Sequence, residues 1–205
     1  MERISAERIR MSEKAAQTIR MVTAPHFMAM LLTSILYAGL GKDAFVTPLH
    51  YIEAIFTLTV LPMLSYLVCR VVPSFKQRGR KLERNLAIVF SVIGYVMGTV
   101  FALTGNGTKL ELILYLTYLI SGVLTGLCSF VFKFKASGHT CGVSGPAALM
   151  SYSLGPMYLL SFAMLVPVFI SSLKLERHSM SQLIAGAIVP IVAMLVTIFT
   201  VGSVF

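Results

Sequence analysis

The sequence predicts an all-α bundle of about six to seven transmembrane helices, and three observations support that fold class. The 205 residues are 57% hydrophobic and only 12% charged, whereas a soluble domain carries roughly 25% charged residues. The apolar residues come in runs close to the roughly 20 residues that a helix needs to cross the hydrocarbon of a bilayer. The basic residues lie between these runs, where membrane proteins keep them.

The first 20 residues are predicted to form a separate amphipathic segment, and residues 21–205 a single transmembrane domain. In residues 2–20, Ile4, Met11 and Ile19 fall on one side at helical spacing, with the charged residues on the other side. A helix with this pattern can lie in the lipid headgroup region. A solvated, charged segment that leads into the first span is an alternative that the sequence supports equally.

The rest of the chain is divided into apolar runs. Four runs have the length of one span and lie at about residues 21–41, 51–72, 86–104 and 110–132. The next run, 142–173, is too long for one span, and Gly155-Pro156 predicts its division into a two-helix hairpin with a tight turn. The last run covers about residues 179–203, with a kink expected at Pro190. The prediction is therefore seven spans.

The distribution of Lys and Arg predicts the orientation in a cell membrane. Of the 17 basic residues, 15 lie in the segments 1–20, 70–84, 133–135 and 174–177. The positive-inside rule then places the amino terminus, and the loops around residues 133–140 and 171–178, on the cytoplasmic side. Four of these basic residues belong to a proposed site, and leaving them out still gives 11 of 13 on that side.

The sequence does not indicate nucleic acid, a metal or a cofactor as a partner. The net charge of +9 does not indicate nucleic-acid binding, because no basic face is large enough to follow a phosphate backbone. The cysteines, Cys69, Cys128 and Cys141, lack the spacing of a metal site and are expected to be buried. The sequence thus predicts the membrane as a partner and no metal or cofactor, and it carries no signal for an oligomeric state.

The first of two polar loops contains His139. Ser137 and Gly138 open a helix there, and the backbone N–H groups and positive dipole end of a helix amino terminus favour a bound anion. Lys133 and Lys135 add positive charge beside it. The other histidines outside the two loops, at positions 26 and 50, have no polar cluster around them and are predicted to be interfacial or structural.

The second polar loop contains His178. His178 and Gln182 are spaced i, i+4 and share one helix face, and Lys174 and Arg177 lie just before them. An anion held between the two loops would meet two imidazoles, several cations and a helix amino terminus, which describes a phosphate site with a nucleophile and a proton donor. The alternative is structural, since basic residues at helix ends usually extend to lipid headgroups.

The two loops resemble motifs two and three of the type 2 phosphatidic acid phosphatase superfamily of membrane lipid phosphatases. The family's second motif is Pro-Ser-Gly-His, and residues 136–139, Ala-Ser-Gly-His, match three of its four positions. The third motif is Ser-Arg, five residues, His, three residues, Asp. Ser171-Ser172, five residues, His178, three residues and Gln182 keep this spacing. The resemblance covers roughly residues 130–200.

The resemblance implies a role for each matching residue. His178 attacks phosphorus and forms a phosphohistidine, and His139 protonates the leaving alcohol. The residues expected to bind the phosphate are Lys135, Ser137, Gly138 and Lys174. Gln182 stands in the place of the Asp that fixes the tautomer of the nucleophile. Its amide oxygen can accept the same hydrogen bond, but it cannot supply the negative charge.

Two further departures from the family concern cations. The family's first motif, Lys, six residues, Arg-Pro, is not recognisable in this sequence, and Lys135 is the candidate to replace its lysine. The arginine of the third motif is replaced by Ser172, which removes a bidentate phosphate clamp. Lys174 or Arg177 could replace the charge of that arginine but not its geometry.

The leading hypothesis is a membrane-embedded phosphatase that hydrolyses a lipid phosphate or a lipid pyrophosphate. The missing Arg and Asp motivate a second hypothesis, a non-catalytic protein that binds or transports lipid phosphates on the same scaffold. A third hypothesis is a structural membrane protein whose polar loops only meet headgroups. The last predicts that loss of both His139 and His178 is tolerated.

Overall fold

The computed structural model describes residues 11–72 and 79–204, and most of these residues are helical, with no strand in the two ranges. The helices in these ranges are α1 (Glu13–Val22), α2 (Pro25–Leu40), α3 (Pro48–Val71), α4 (Gly79–Thr104), α5 (Lys109–Phe130), α6 (Gly138–Leu154), α7 (Pro156–Lys174) and α8 (Met180–Val204). The predicted amphipathic segment before residue 11, and the basic stretch 73–78, lie outside the described residues.

The predicted class, an all-α bundle with several spans, is confirmed for the described part of the chain. Five helices there are long and apolar enough to cross a membrane: α3, α4 from Asn85 onward, α5, α7 and α8. A sixth candidate is the pair α1 and α2, which are bent by 46° at a short break. Large apolar side chains such as Val100, at 52% exposure, and Phe199, at 78%, point outward from these helices. These features are those of a multi-pass membrane protein.

Helix α6 is not among the candidate spans, although the sequence predicts a span there. It has only 17 residues, and ten of them are buried by neighbouring helices. Helix α6 packs against α8, α2, α7 and α5, so it forms the centre of the bundle. Its amino terminus, which carries His139, contacts α1 through Arg20 and α8 through Gln182.

The helix boundaries follow local signals in the sequence. Side chains that accept a backbone N–H bond cap the amino termini of α1, α3, α5 and α6, namely Ser12, Thr47, Thr108 and Ser137. Ala24 is extended, with ψ at 143°, because the ring of the following Pro25 disfavours helical backbone before it. The break between α1 and α2 follows from this proline.

The predicted division of the 142–173 run is also present. Helix α6 ends at Leu154, Gly155 adopts a φ of +108°, and α7 begins at Pro156 with a 3-10 segment that runs to Met164. A φ in this region favours glycine. Helix α8 continues across Pro190.

Two glycines permit the close packing of helices around the amino terminus of α6. A Cβ on Gly142 would lie 2.7 Å from the Cα of Pro25, and a Cβ on Gly186 would lie 2.4 Å from the carbonyl oxygen of Ser137. Small residues at such positions let helix backbones approach one another within a membrane. They hold α2 and α8 directly against the segment that carries His139.

A buried polar cluster lies at the opposite end of the bundle, where α3 and α5 begin. Nδ1 of His50 is 2.9 Å from both carboxylate oxygens of Glu111, and the Glu111 side chain is fully buried. The hydroxyl of Tyr115 donates to the carboxylate of Glu53 one turn further along these helices. No pattern in the sequence indicates this cluster, and the prediction that His50 has no polar cluster around it is wrong.

Candidate functional site

The two predicted site loops lie at the same end of the bundle and are joined by a hydrogen bond. The backbone N–H of Ser137, before α6, donates to the carbonyl oxygen of Gln182, in the first turn of α8, at 3.0 Å. The absence of a side chain at Gly186 leaves room for this contact. The amino termini of α6 and α8 therefore stand side by side, as the anion-site hypothesis requires.

His178 is half-buried just before α8, and Gln182 fixes its tautomer. The amide oxygen Oε1 of Gln182 lies 3.1 Å from Nδ1 of His178 and accepts the backbone N–H of Ser179 at 3.2 Å. Because Oε1 is the acceptor for Ser179, Nδ1 of His178 must carry the proton and donate it. In the neutral form of this imidazole the lone pair is on Nε2, as a nucleophilic imidazole requires. This is the hydrogen bond that the sequence analysis expected from Gln182.

His139, the second residue of α6, has both ring nitrogens bonded to Arg20 of α1. A guanidinium N–H of Arg20 donates to Nδ1 at 3.2 Å. Arginine has no acceptor, so Nδ1 is unprotonated and Nε2–H donates to the backbone carbonyl oxygen of Arg20 at 3.1 Å. The imidazole is thereby held as the neutral Nε2–H tautomer.

The guanidinium of Arg20 also contacts the position where the family motif has its arginine. Its Nη1 donates to Oγ of the buried Ser172 at 2.6 Å. Lys174 and Arg177 are the residues that the sequence predicts in place of the arginine of that motif, and Arg20 is not among them. The structure brings a guanidinium to Ser172 from a helix 152 residues away in sequence.

The surroundings of His139 lower its pKa from 6.5 to about 3. Burial is the largest cause, because it disfavours the charged imidazolium, and the positive charge of Arg20 acts in the same direction. His178 and His26 add smaller effects of the same sign. His139 is therefore neutral at physiological pH in this arrangement, and it needs an anion nearby before it can hold a proton for a leaving group.

A cavity of about 390 Å³ connects these groups. Its polar lining at the end of the bundle where α6 and α8 begin includes Arg20, His26, Glu83, His139 and His178. From there it extends between α4, α5 and α6, and apolar atoms form most of the surface of the cavity as a whole. A cavity with a guanidinium and three imidazoles beside one carboxylate at one end, and a mainly apolar surface that includes several hydroxyls, fits an amphiphile that carries an anionic head.

The other predicted site residues have different surroundings. Gly138 lines the cavity. Ser137 is fully buried, and its hydroxyl oxygen caps α6 by accepting the N–H of Thr140 at 3.4 Å. Lys135 is exposed and Lys174 half-buried, and neither belongs to the residues that line this cavity within the described part of the chain.

Three charged or imidazole side chains in the lining were not predicted as site residues: Arg20, His26 and Glu83. Arg20 ends the predicted amphipathic helix, and His26 follows the break at Pro25. A basic residue at the point where a surface helix bends into the bundle is a signal that could have identified Arg20. Glu83 precedes the apolar part of α4. It belongs to no recognisable sequence motif, so no signal in the sequence identifies it as a site residue.

A scan against protein-family models finds no match to this chain, and no curated protein or solved structure matches it. The likeness to the lipid phosphatase superfamily therefore rests on the motif residues described above.

Proposed function

We propose that this protein is a membrane-embedded phosphatase that hydrolyses a lipid phosphate or lipid pyrophosphate through a phosphohistidine. The observation that carries the proposal is the set of three groups on one cavity: His178 with its tautomer fixed by Gln182, His139, and the guanidinium of Arg20. A nucleophile, a proton-transfer group and a phosphate-binding cation are the groups that phosphoryl transfer to an imidazole needs.

The first step forms a bond between Nε2 of His178 and phosphorus, while the bond from phosphorus to the oxygen of the lipid alcohol breaks. The alkoxide takes a proton from the protonated His139 and leaves as the alcohol; with a lipid pyrophosphate, the bond from phosphorus to the bridging oxygen breaks instead and the lipid monophosphate leaves. In the second step, His139 takes a proton from water, and the hydroxide oxygen bonds to phosphorus. The bond between nitrogen and phosphorus breaks, which releases inorganic phosphate and restores His178.

Arg20 links the binding of a phosphate to the protonation of His139. Its guanidinium contacts Nδ1 of His139 in the ligand-free arrangement and lowers the pKa of that imidazole. A phosphate that pairs with the guanidinium brings negative charge between the two groups, which opposes the lowering. Binding of the anionic head thus favours the protonated His139 that the first step uses.

The mutation His178→Ala tests the proposal. Phosphate release from a panel of lipid phosphates and pyrophosphates by the purified protein is expected to fall to background. Ser181→Ala is a matched control, because Ser181 is exposed on the same segment and bonds only the side chain of Ser179 among the described residues. Equal release by His178→Ala and the parent would refute the catalytic role.

The second candidate is a non-catalytic protein that binds or transports lipid phosphates. Gln182 favours it, because an amide supplies no negative charge to stabilise an imidazolium, and loss of such support slows other enzymes by several powers of ten. This candidate predicts saturable binding of lipid phosphates that weakens in His178→Ala, with no phosphate released by the parent from any member of the panel.

We also propose a cell-membrane location with the amino terminus and the site on the cytoplasmic side. The bias of 15 of 17 basic residues toward one set of loops supports this orientation. Cysteine labelling of an exposed residue near the site, Lys135→Cys, by a membrane-impermeant maleimide tests it. Labelling of inside-out vesicles alone is expected, and labelling of intact cells alone would contradict it.

A further inference from the structure

The inner part of the cavity has a polar face that the proposed chemistry does not use. Thr117, Ser121 and Thr125 all line the cavity and follow one another at i, i+4 and i+8 on α5, so they share one face of that helix. Tyr118, beside them, also lines it. At a rise of 1.5 Å per residue, the face is about 12 Å long and leads away from the end of α5 that is nearest to the histidines.

Three hydroxyls along this face lack a hydrogen-bond partner. The side-chain oxygens of Thr117, Tyr118 and Thr125 are buried and make no hydrogen bond within the described part of the chain. The Thr117 side chain belongs to a residue that is 1% exposed. Ser121 differs, since its hydroxyl donates to the Thr117 carbonyl oxygen, and Thr125 has the Cys141 thiol beside it.

The lack of a partner is not a general property of threonines in this bundle. Thr33, Thr99 and Thr197 are buried in other helices, and each donates its hydroxyl to the carbonyl oxygen four residues earlier. Burial of a hydroxyl without a hydrogen bond is unfavourable. An alkyl or prenyl chain in the cavity would leave both Thr117 and Tyr118 unsatisfied, whereas a ligand with a hydrogen-bonding group at that depth would satisfy them.

We propose that Thr117 and Tyr118 form an inner polar subsite, which binds a hydroxyl, ester or amide group of an amphiphilic phosphate. The inference rests on the proposed function, because the head of that ligand is the phosphate at His178 and Arg20. Thr117 lies about 12 Å along α5 from Thr125, on the side away from the histidines. The ligand therefore carries its polar group within the chain and not only at the head.

Matched pairs of synthetic phosphates test the subsite. Dodecyl phosphate is compared with dodecyl phosphates that carry one hydroxyl at successive chain positions, both for binding, by the shift in thermal unfolding, and for phosphate release. One hydroxyl position is expected to bind about tenfold more tightly than the plain chain, the effect of about one net hydrogen bond. The variants Thr117→Val and Tyr118→Phe are each expected to reduce that preference to about one- to threefold.

Thr99→Val is the control, because Thr99 is buried, bonds its own helix and does not line the cavity; it should keep the parent preference. An equal affinity of the parent for plain and hydroxylated chains would overturn the subsite, as would a preference that survives in both variants. If Thr117→Val or Tyr118→Phe does not fold, the other variant tests the subsite.

A preference in binding without any phosphate release would refute the phosphatase while the subsite stands. Phosphate release from all chains at one rate would overturn the subsite while the phosphatase stands. Binding of no probe at all would overturn both the subsite and the phosphatase.

Discussion

Replacement of Arg20 tests whether its guanidinium binds the phosphate in the proposed site. Its guanidinium donates to Ser172 at 2.6 Å and to His139 at 3.2 Å, and in the proposed function both N–H groups turn to the phosphate. Loss of a preorganised donor to developing charge costs about 10²- to 10³-fold in rate. Arg20→Gln is therefore expected to lower kcat/KM for lipid phosphate hydrolysis by at least about 10²-fold. Arg20→Lys, which keeps the charge and loses the planar fork, should lose about tenfold.

The same variant has a readout that does not depend on turnover. The charge of Arg20 is one cause of the lowered pKa of His139, so in Arg20→Gln that pKa should rise toward its ordinary value of 6.5. Nuclear magnetic resonance of histidine-labelled protein in detergent measures it, with His139→Gln to assign the signal. Lys14→Gln is the control, since Lys14 is exposed on the same helix. Parent-like kcat/KM and an unchanged titration in Arg20→Gln would refute the assigned role.

Three further predictions follow from the packing and the charges. His50→Ala leaves Glu111 buried without its partner at 2.9 Å and should lower the free energy of unfolding by about 3–5 kcal/mol, while the folded protein keeps its phosphate release per molecule; a parent-like unfolding temperature would contradict this. Gly186→Ala places a Cβ within 2.4 Å of the Ser137 carbonyl oxygen and should cost about 1–3 kcal/mol of stability together with a loss of activity, and retention of both would show that the loops are not held in this way. Because the pKa of His139 is lowered from 6.5 to about 3, the unfolded chain binds more protons between these values, so stability should fall as pH decreases from about 6.5 toward 3, by up to about 5 kcal/mol in total; His139→Gln should remove that part of the pH dependence, and an identical profile would contradict the burial argument.

The fold could be predicted well because its signals are local. Runs of about 20 apolar residues identify spans without any tertiary information, and Gly155-Pro156 identifies a turn through its backbone preferences alone. The span expected at α6 differs because its length is set by packing. Residues such as Gly142 and Gly186 let neighbouring helices cover a helix of only 17 residues.

The site could be predicted only where its contacts are short in sequence. The bond from His178 to Gln182 follows from i, i+4 spacing on one helix. The bonds from Arg20 to His139 and Ser172 join residues 119 and 152 positions apart, and no pattern in a single sequence specifies such pairs. The same holds for His50 and Glu111, which are 61 positions apart. The helical pattern of residues 2–20 places Arg20 on the charged, outward-facing side. In the structure, the chain bends before Pro25, and Arg20 contacts His139 and Ser172 inside the bundle.

Detection of a phosphorylated histidine tests the central claim most directly. The purified protein is mixed with a lipid phosphate labelled with radioactive phosphorus and quenched in alkali, where phosphohistidine is stable, and the labelled peptide is identified by mass spectrometry. The account predicts acid-labile label on His178 in the parent, no label in His178→Ala, and label in the Ser181→Ala control. Phosphate release by the parent without label on His178, or label that persists in His178→Ala, would contradict the account.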